Sequence, residues 1–172
     1  MYKEKIYIGL GSNLRSISFL NAEKLFQSVI VRLNITGIRV IKSSNNWLSS
    51  PIPFTSEPSY LNKVLKCIYI GRKRKTPLDL FNKLTEIEAA LGKRTKKKKL
   101  NARIIDIDFL DYNGIVYINK IILPHPRLHI RKFVLNPLLS VNKNWKHPKL
   151  KLRIPQLVAK IREKQNLKEI LS

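Results

Sequence analysis

The sequence predicts an α+β protein in which helices flank a mostly antiparallel sheet. Two segments with helical periodicity are separated by strand-like apolar segments. An Asn-Gly pair at residues 113–114 is typical of the tight turns that join antiparallel strands. A chain of 172 residues, 44% of them hydrophobic, is long enough to bury one core, so we expect a single domain over residues 1–172.

The first half of the chain alternates predicted strands with one helix. Residues 5–13, KIYIGLGSN, indicate a buried strand that ends in a glycine-rich turn. Apolar residues recur at three- and four-residue spacing over 19–33, which predicts a helix with one buried face. Strands are expected at 38–44 and 61–71, and the proline- and serine-rich stretch 45–60 is expected to be mostly loop.

The clearest helical signal covers residues 76–92. Thr76 is a good N-cap, and Pro77 suits the first helical position. Asp79 completes a capping box with Thr76. Gly92 is a typical helix terminator, so both ends of this helix are predicted from local sequence.

The second half begins with a basic loop at 93–103. A strand at 104–110 should then pair, through the Asn-Gly turn, with a second strand near 115–122. The proline-rich segment 123–141 is expected to enter a short helix, and a last helix is expected at 155–163.

The formal net charge of +23, from 34 Lys and Arg against 11 Asp and Glu, favours anionic partners such as nucleotides or nucleic acid. A competing interpretation is that A/T-biased coding has added lysines to solvated faces without a binding role. The common signatures of single-strand RNA readers, an aromatic RNP segment or a G-x-x-G clamp, do not occur in the sequence. Because the charge still favours it, we keep a nucleic-acid-binding module as the alternative to an enzyme.

The composition and the N-terminal residues bear on location. The single Cys67 cannot form an internal disulfide, which fits a reducing compartment. No apolar run reaches the roughly 18 residues of a membrane span, and the first residues lack the apolar core of a signal peptide. We expect a cytoplasmic protein without a membrane partner.

Two carboxylates stand out in the stretch NARIIDIDFLDYNG, residues 101–114. Side chains alternate in a strand, so Asp106 and Asp108 should project from one face, with their Cβ atoms about 6.6 Å apart. Such a pair can hold one divalent ion or two, and oxygen ligands suit Mg²⁺. Ordinary alternation on an edge strand with one polar face in water would give the same pattern. Asp111 has the opposite parity, and we do not count it as a ligand.

Basic residues flank the carboxylate pair on both sides. Seven lie within residues 93–103, and a second group follows at residues 125–132. Acids on a plain nucleic-acid surface would repel phosphates, whereas a metal-binding pair between cationic loops suits a polyphosphate. Leu14 occupies the third glycine position of a dinucleotide fingerprint, and no P-loop motif occurs. We therefore expect side chains and metal to hold any nucleotide.

Six segments in order carry a resemblance to a known family: YIGLGSNL, SSNNWLSSPI, PSYLNKVL, IEAALGK, ARIIDIDFL and LPHPRLHIRKFVLNPL. Over roughly residues 5–145 the chain resembles the 6-hydroxymethyl-7,8-dihydropterin pyrophosphokinases of folate biosynthesis. The resemblance implies a ferredoxin-like sandwich that transfers pyrophosphate from ATP to the pterin and releases AMP. It also implies two Mg²⁺ ions and the small-molecule substrates ATP and 6-hydroxymethyl-7,8-dihydropterin. Apart from the resemblance, we expect a monomer without a nucleic-acid partner.

The same resemblance assigns roles to individual residues. The implied catalytic residues are Lys93, Arg103, Asp106 and Asp108, of which the two aspartates hold the metal. The implied nucleotide contacts are Thr85, Glu88, Arg103, Phe109, His125 and Arg131. The implied pterin contacts are Ser49, Ile52, Tyr60, Asn62 and Phe133. The chain departs from the family pattern in the basic loop, where Lys93 replaces a common Arg, Leu100 an occasional Trp and Asn101 a usual Gly.

Overall fold

The structure, a computed structural model, describes residues 4–14, 17–50, 59–71, 73–92, 104–162 and 164–171. Within these ranges one six-stranded sheet carries helices on both faces, and a two-stranded ribbon lies beside it. The strands are β1 Glu4–Asn13, β2 Ile38–Ser43, β3 Asn46–Ser49, β4 Tyr60–Tyr69, β5 Asp106–Tyr112, β6 Tyr117–Ile118, β7 Ile122–Leu123 and β8 Leu167–Ile170. The helices are α1 Phe19–Ile35, α2 Pro77–Leu91, α3 Lys132–Val141 and α4 Ile154–Ala159, with a 3₁₀ turn at Leu128–Ile130.

The sheet has the strand order β5-β1-β4-β3-β8, and every pairing is antiparallel. β2 also pairs with β4, at the end of β4 away from β3. The succession β1-α1-β2/β3-β4-α2-β5, with β1 and β4 in the centre, is the βαββαβ arrangement of ferredoxin-like folds. The predicted α+β sandwich with a mostly antiparallel sheet is therefore confirmed.

Two hydrophobic cores lie on opposite faces of the sheet. On one face, called here the α1/α2 face, buried residues such as Phe26 and Leu84 pack against Ile8. On the other, the α3/α4 face, Leu135 packs against Tyr7 in a cluster that includes Val64 and Leu110 of the sheet. Neighbours in β1 enter different cores because side chains alternate across a strand.

The second helix forms as its local sequence predicts. The Thr76 hydroxyl accepts a hydrogen bond from the Asp79 amide, and the Asp79 carboxylate accepts one from the Thr76 amide. Pro77 begins the helix, and the Gly92 amide donates to the Glu88 carbonyl at its end. A cap of this kind stabilises a helix by about 1 kcal/mol.

Two short strands were not predicted. β3 lies inside the stretch 45–60 that was expected to be mostly loop, and β8 follows the last helix. That helix ends at Ala159, earlier than the predicted 163. β3 and β8 have four residues each and pair with each other across more than 115 residues of sequence, so neither has a local periodic signal.

The predicted hairpin between β5 and a strand at 115–122 is wrong. The turn itself forms, since Asn113 and Gly114 both have positive φ, of 52° and 67°. The chain that follows pairs with itself instead, as β6 with β7, and the Asn119 amide donates to the Ile121 carbonyl between them. β5 itself starts at Asp106, two residues later than predicted.

The longest described helix, α1, has 17 residues. Within the parts of the chain that the structure describes, we find no helix with the length and apolar character needed to cross a membrane.

Candidate active site

Strand register aligns a row of side chains across the α3/α4 face. Asp106 lies opposite Gly11, Gly11 lies opposite Asn62, and Asn62 lies opposite Trp47. Residues directly opposite in an antiparallel pair project from the same face. The predicted metal ligand Asp106 and the predicted pterin contact Asn62 therefore share a face, and the position between them is a glycine.

The next row contains the second carboxylate. Asp108 lies opposite Gly9, which in turn lies opposite the buried Val64. Ile107 and Phe109 point the other way into the core of the α1/α2 face. The predicted alternation, with Asp106 and Asp108 on one side, is confirmed.

Two cationic or polar groups contact Asp108. One carboxylate oxygen lies 3.6 Å from His125 Nε2, and the other lies 3.4 Å from Arg131 Nη1. The Arg131 guanidinium also lies over the Phe133 ring, 5.4 Å from its centroid. The fold thus brings together a predicted metal ligand, two predicted phosphate contacts and a predicted pterin contact.

The orientation of His125 follows from its backbone. Its amide donates to the Leu110 carbonyl of β5, which fixes the start of the segment after β7. Its Nδ1 accepts a hydrogen bond from the Arg127 amide, so the proton of a neutral ring resides on Nε2. That N–H faces Asp108.

Burial lowers the pKa of His125; Asp108 opposes this shift, whereas Arg131 and Arg127 add to it. The ring is therefore neutral at pH 7. Burial also lowers the pKa of Arg131, and Asp108 again partly offsets the effect. A further anion at this point would stabilise the guanidinium, as a phosphate group does.

An open cleft of about 260 Å³ lies next to Asp108. Its walls come from α2, from β5 and from residues 120–126, and they include Phe81, Phe109 and His125. Glu88, on α2, accepts a hydrogen bond from the Ile107 amide at the outer edge of β5. Thr85 is exposed one turn earlier, and its hydroxyl donates to the Phe81 carbonyl. The predicted nucleotide contacts that the structure describes thus cluster around one edge of the sheet.

Three predicted pterin contacts, Ser49, Tyr60 and Asn62, lie at the same end of the α3/α4 face. Ser49 is opposite Tyr60, and Tyr60 is opposite Asn13, whose Nδ2 donates to the Tyr60 hydroxyl at 3.1 Å. Asn62 Nδ2 lies within 3.0–3.2 Å of three acceptors, the Ser49 hydroxyl and the carbonyls of Trp47 and Tyr60. These bonds hold the Asn62 amide in one orientation.

The carboxylate pair has the donor chemistry for magnesium. In the part of the chain that the structure describes, no three His, Cys, Asp or Glu side chains form a metal-binding group. Two carboxylates completed by water and substrate phosphates are the usual protein ligands of Mg²⁺. A Cβ at Gly9 would lie 3.5 Å from that of Asp108, and one at Gly11 would lie 3.8 Å from that of Asp106. The glycines place no side chain beside the carboxylates, and the two carboxylates are the donors that the ion prefers, so the residues present fit the ion.

Comparison with known proteins identifies the family of the chain. Residues 7–143 match the family model described as 7,8-dihydro-6-hydroxymethylpterin-pyrophosphokinase (HPPK). The chain belongs to the HPPK family. It is 33% identical over 145 residues to the 2-amino-4-hydroxy-6-hydroxymethyldihydropteridine pyrophosphokinase of Aquifex aeolicus, with 83% of each chain covered.

Longer relatives contain a similar region. The chain is 36% identical over 159 residues to the folic acid synthesis protein fol1 of Pneumocystis carinii, covering 92% of this chain and 20% of that protein. It therefore spans about a fifth of the length of that relative. A crystal structure of an HPPK-DHPS protein in complex with substrates aligns with a TM-score of 0.68 at 11% identity, covering 92% of this chain and 43% of that one. This similarity shows that the chain shares its fold with part of that protein.

Three residues implied by the family resemblance are not among those that the structure describes. Lys93, Arg103 and Ile52 lie outside the described residues. Phe133 is described; it packs at the edge of the α3/α4 core, on a helix that contacts β3 and β4.

Sequence reasoning missed one residue with a polar atom beside the predicted pterin contacts. Trp47 lies beside Asn62 on the α3/α4 face, and its buried indole Nε1 has no hydrogen-bond partner within the described structure. Buried donors are normally paired, so this unpaired N–H is an exception within the described residues. The two-residue spacing from Ser49 would have indicated a shared face had β3 been recognised as a strand.

Proposed function

We propose that the chain transfers pyrophosphate from ATP to 6-hydroxymethyl-7,8-dihydropterin, giving the pterin diphosphate and AMP in folate biosynthesis. The observation that carries the proposal is the row Asp106–Gly11–Asn62. In this row, a carboxylate suited to a metal ion and an amide suited to hydrogen-bond the pterin ring face the same space. Membership of the HPPK family supports the same activity.

Asp106 and Asp108 would hold two Mg²⁺ ions. When bound, these ions neutralise charge on the ATP phosphates and favour deprotonation of the attacking hydroxyl. The pairing of β5 with β1 fixes the backbone that carries both carboxylates. Preorganised charge of this kind supplies much of the rate enhancement in phosphoryl transfer.

Arg131 and His125 would bind the phosphates. The guanidinium offers a planar fork of donors, and stacking on Phe133 restricts its orientation. The neutral His125 donates through Nε2, so it binds an anionic oxygen without needing protonation. Both groups contact Asp108 before ligand binding, and we propose that phosphate oxygens take over part of these contacts.

The pterin would bind between Tyr60 and Phe133, which offer two ring faces. Three protein acceptors engage Asn62 Nδ2, so Oδ1 remains to accept from an N–H group on the pterin edge. Ser49 and Ile52 are proposed as further contacts. Gly11 places no side chain between Asn62 and Asp106, which favours approach of the hydroxymethyl group to the phosphates.

The remaining assignments are also proposals. Lys93 and Arg103 would neutralise charge on the transferred group, while Thr85, Glu88 and Phe109 would contact the adenosine. We propose a single domain over residues 1–172 that acts as a cytoplasmic monomer without nucleic acid or membrane partners. The positive charge around Asp108 is then explained by a nucleotide substrate.

The test is to incubate the purified chain with Mg²⁺, ATP and the reduced hydroxymethylpterin and to quantify AMP by chromatography. AMP should form only when both substrates are present. Reactions lacking the pterin, or containing ADP in place of ATP, are the controls. Salt-sensitive binding of unrelated oligonucleotides without AMP formation would instead favour the nucleic-acid-binding alternative.

A further inference from the structure

The chain beyond the region that matches the HPPK model contacts the candidate site at two places. The family match ends at residue 143, and β8 lies more than 20 residues later. β8 pairs with β3, where Leu167 lies opposite Ser49 and the Ser50 amide donates to the Asn166 carbonyl. The strand that carries a proposed pterin contact is therefore flanked on both sides by other strands.

The second contact is made by Gln165, just before β8. Its Oε1 accepts a hydrogen bond from the Lys132 amide at 2.8 Å, and its Nε2 donates to the Ile130 carbonyl, also at 2.8 Å. These two backbone groups flank Arg131. One side-chain amide thus fixes the peptide units on both sides of a proposed phosphate-binding residue.

The local structure explains why this contact matters. Arg131 is the N-cap of α3, with extended backbone angles, and its own side chain makes no capping bond. The first amides of a helix have no partner within the helix. Gln165 provides the missing acceptor for Lys132 and leaves the Arg131 guanidinium available to Asp108 and Phe133.

We propose that Gln165 is a positioning residue that holds the turn from Ile130 to Lys132, so that Arg131 faces the carboxylates of β5. Through β8, the same segment also fixes the position of Ser49. The catalytic part of this inference depends on the proposed function, whereas the claim that Gln165 holds the turn does not.

The experiment compares the full chain with Gln165→Ala, Gln165→Glu and a control, Lys168→Ala. Lys168 is exposed on the same segment, and its substitution leaves the backbone pairing with β3 intact. Amide hydrogen exchange at Lys132, followed by NMR, reports on the turn without reference to activity. We expect exchange about tenfold faster in Gln165→Ala, intermediate in Gln165→Glu, and unchanged in Lys168→Ala.

The catalytic readout is kcat/KM for ATP, measured by AMP formation. We expect about a tenfold decrease in Gln165→Ala, because small displacements of a binding group reduce rates strongly. Gln165→Glu keeps the acceptor for Lys132 and should recover part of the loss. If Gln165 acts through Arg131, adding Gln165→Ala to Arg131→Ala should change kcat/KM by less than about twofold.

Two results would overturn the inference. One is unchanged Lys132 exchange in Gln165→Ala; the other is the same tenfold loss in the presence and absence of Arg131. An inactive wild-type chain would instead contradict the proposed function, and the exchange measurement would still decide whether Gln165 holds the turn.

Discussion

Asp108 lies directly opposite Gly9 in the antiparallel pairing of β1 with β5, and both project from the α3/α4 face. A larger residue at position 9 would place its side chain beside the carboxylate. With glycine there, no side chain of β1 lies beside Asp108, and the same holds for Asp106, which lies opposite Gly11. Two glycines in β1 therefore lie directly beside the two acids of β5 and add no side chain there.

The first prediction concerns the two carboxylates of β5. Asp108→Asn and Asp106→Asn should each lower kcat by about 10²- to 10³-fold, on the scale of losing a principal electrostatic stabiliser. Both side chains are at least partly exposed, so urea denaturation should show little change in the free energy of unfolding.

A matched control for the acids is Glu86→Gln, which removes an exposed carboxylate from α2, where it pairs with Lys83. Its kcat should remain within about twofold of wild type. Turnover of Asp108→Asn within threefold of wild type would show that Asp108 does not hold the metal.

The second prediction concerns the open space between Asp106 and Asn62. Gly11→Ala should fold normally, because a Cβ there meets Asp106 at an ordinary contact distance of 3.8 Å. Gly11→Leu should raise KM for the pterin at least about tenfold, since the longer side chain fills that space. Steady-state kinetics and thermal denaturation of both variants check this, and an unchanged KM in Gly11→Leu would place the pterin elsewhere.

The third prediction is that Asp111, unlike Asp106 and Asp108, has a structural role. Its buried carboxylate accepts hydrogen bonds from Trp145 Nε1 at 2.7 Å and from the Gly114 amide at 3.1 Å. Asp111→Ala leaves the buried Trp145 indole unpaired and should lower the free energy of unfolding by about 2–3 kcal/mol. Asp111→Asn keeps an acceptor and should be closer to wild type. Urea denaturation measures both, and equal stability of all three proteins would contradict this role.

The fourth prediction concerns acid stability. Burial lowers the pKa of His147 to about 4, with smaller contributions from His129 and Lys149. The ring is almost fully buried, and its Nδ1 accepts from the amides of Lys149 and Leu150. The unfolded chain, with an ordinary histidine pKa near 6.5, binds a proton that the folded chain does not. Stability present above pH 6.5 should thus be lost as the pH falls towards 4, by about 3 kcal/mol.

This pH effect is measured by urea denaturation at several values between pH 7 and pH 4.5. His147→Asn offers a similar acceptor without a titrating proton, so its stability should depend less on pH over this range. Titration of the His147 ring by NMR gives the pKa directly. A value near 6.5 in the folded protein would contradict the prediction.

Local signals account for the parts of the fold that were predicted correctly. The capping box of Thr76 and Asp79 lies within four residues, and the apolar stripe of α1 repeats within each turn. The alternation that places Asp106 and Asp108 on one face needs no information beyond the strand itself. These features depend on neighbours in sequence, which is why the sequence alone predicts them.

The errors and omissions involve partners that are distant in sequence. An Asn-Gly turn predicted a hairpin, but it does not determine which strand follows, and residues 117–123 formed their own ribbon. The pairing of β3 with β8, the contact of Arg131 with Asp108 and the bonds of Gln165 all depend on tertiary packing. Short polar segments provide no periodicity from which such contacts can be predicted.

The most direct test of the proposed activity is to count the phosphorus atoms transferred. The chain should be incubated with Mg²⁺, ATP and 6-hydroxymethyl-7,8-dihydropterin, and the products followed by ³¹P NMR. We predict AMP together with a pterin product that contains two coupled phosphorus nuclei. ADP with a pterin monophosphate, or inorganic phosphate with unmodified pterin, would contradict the proposed pyrophosphoryl transfer.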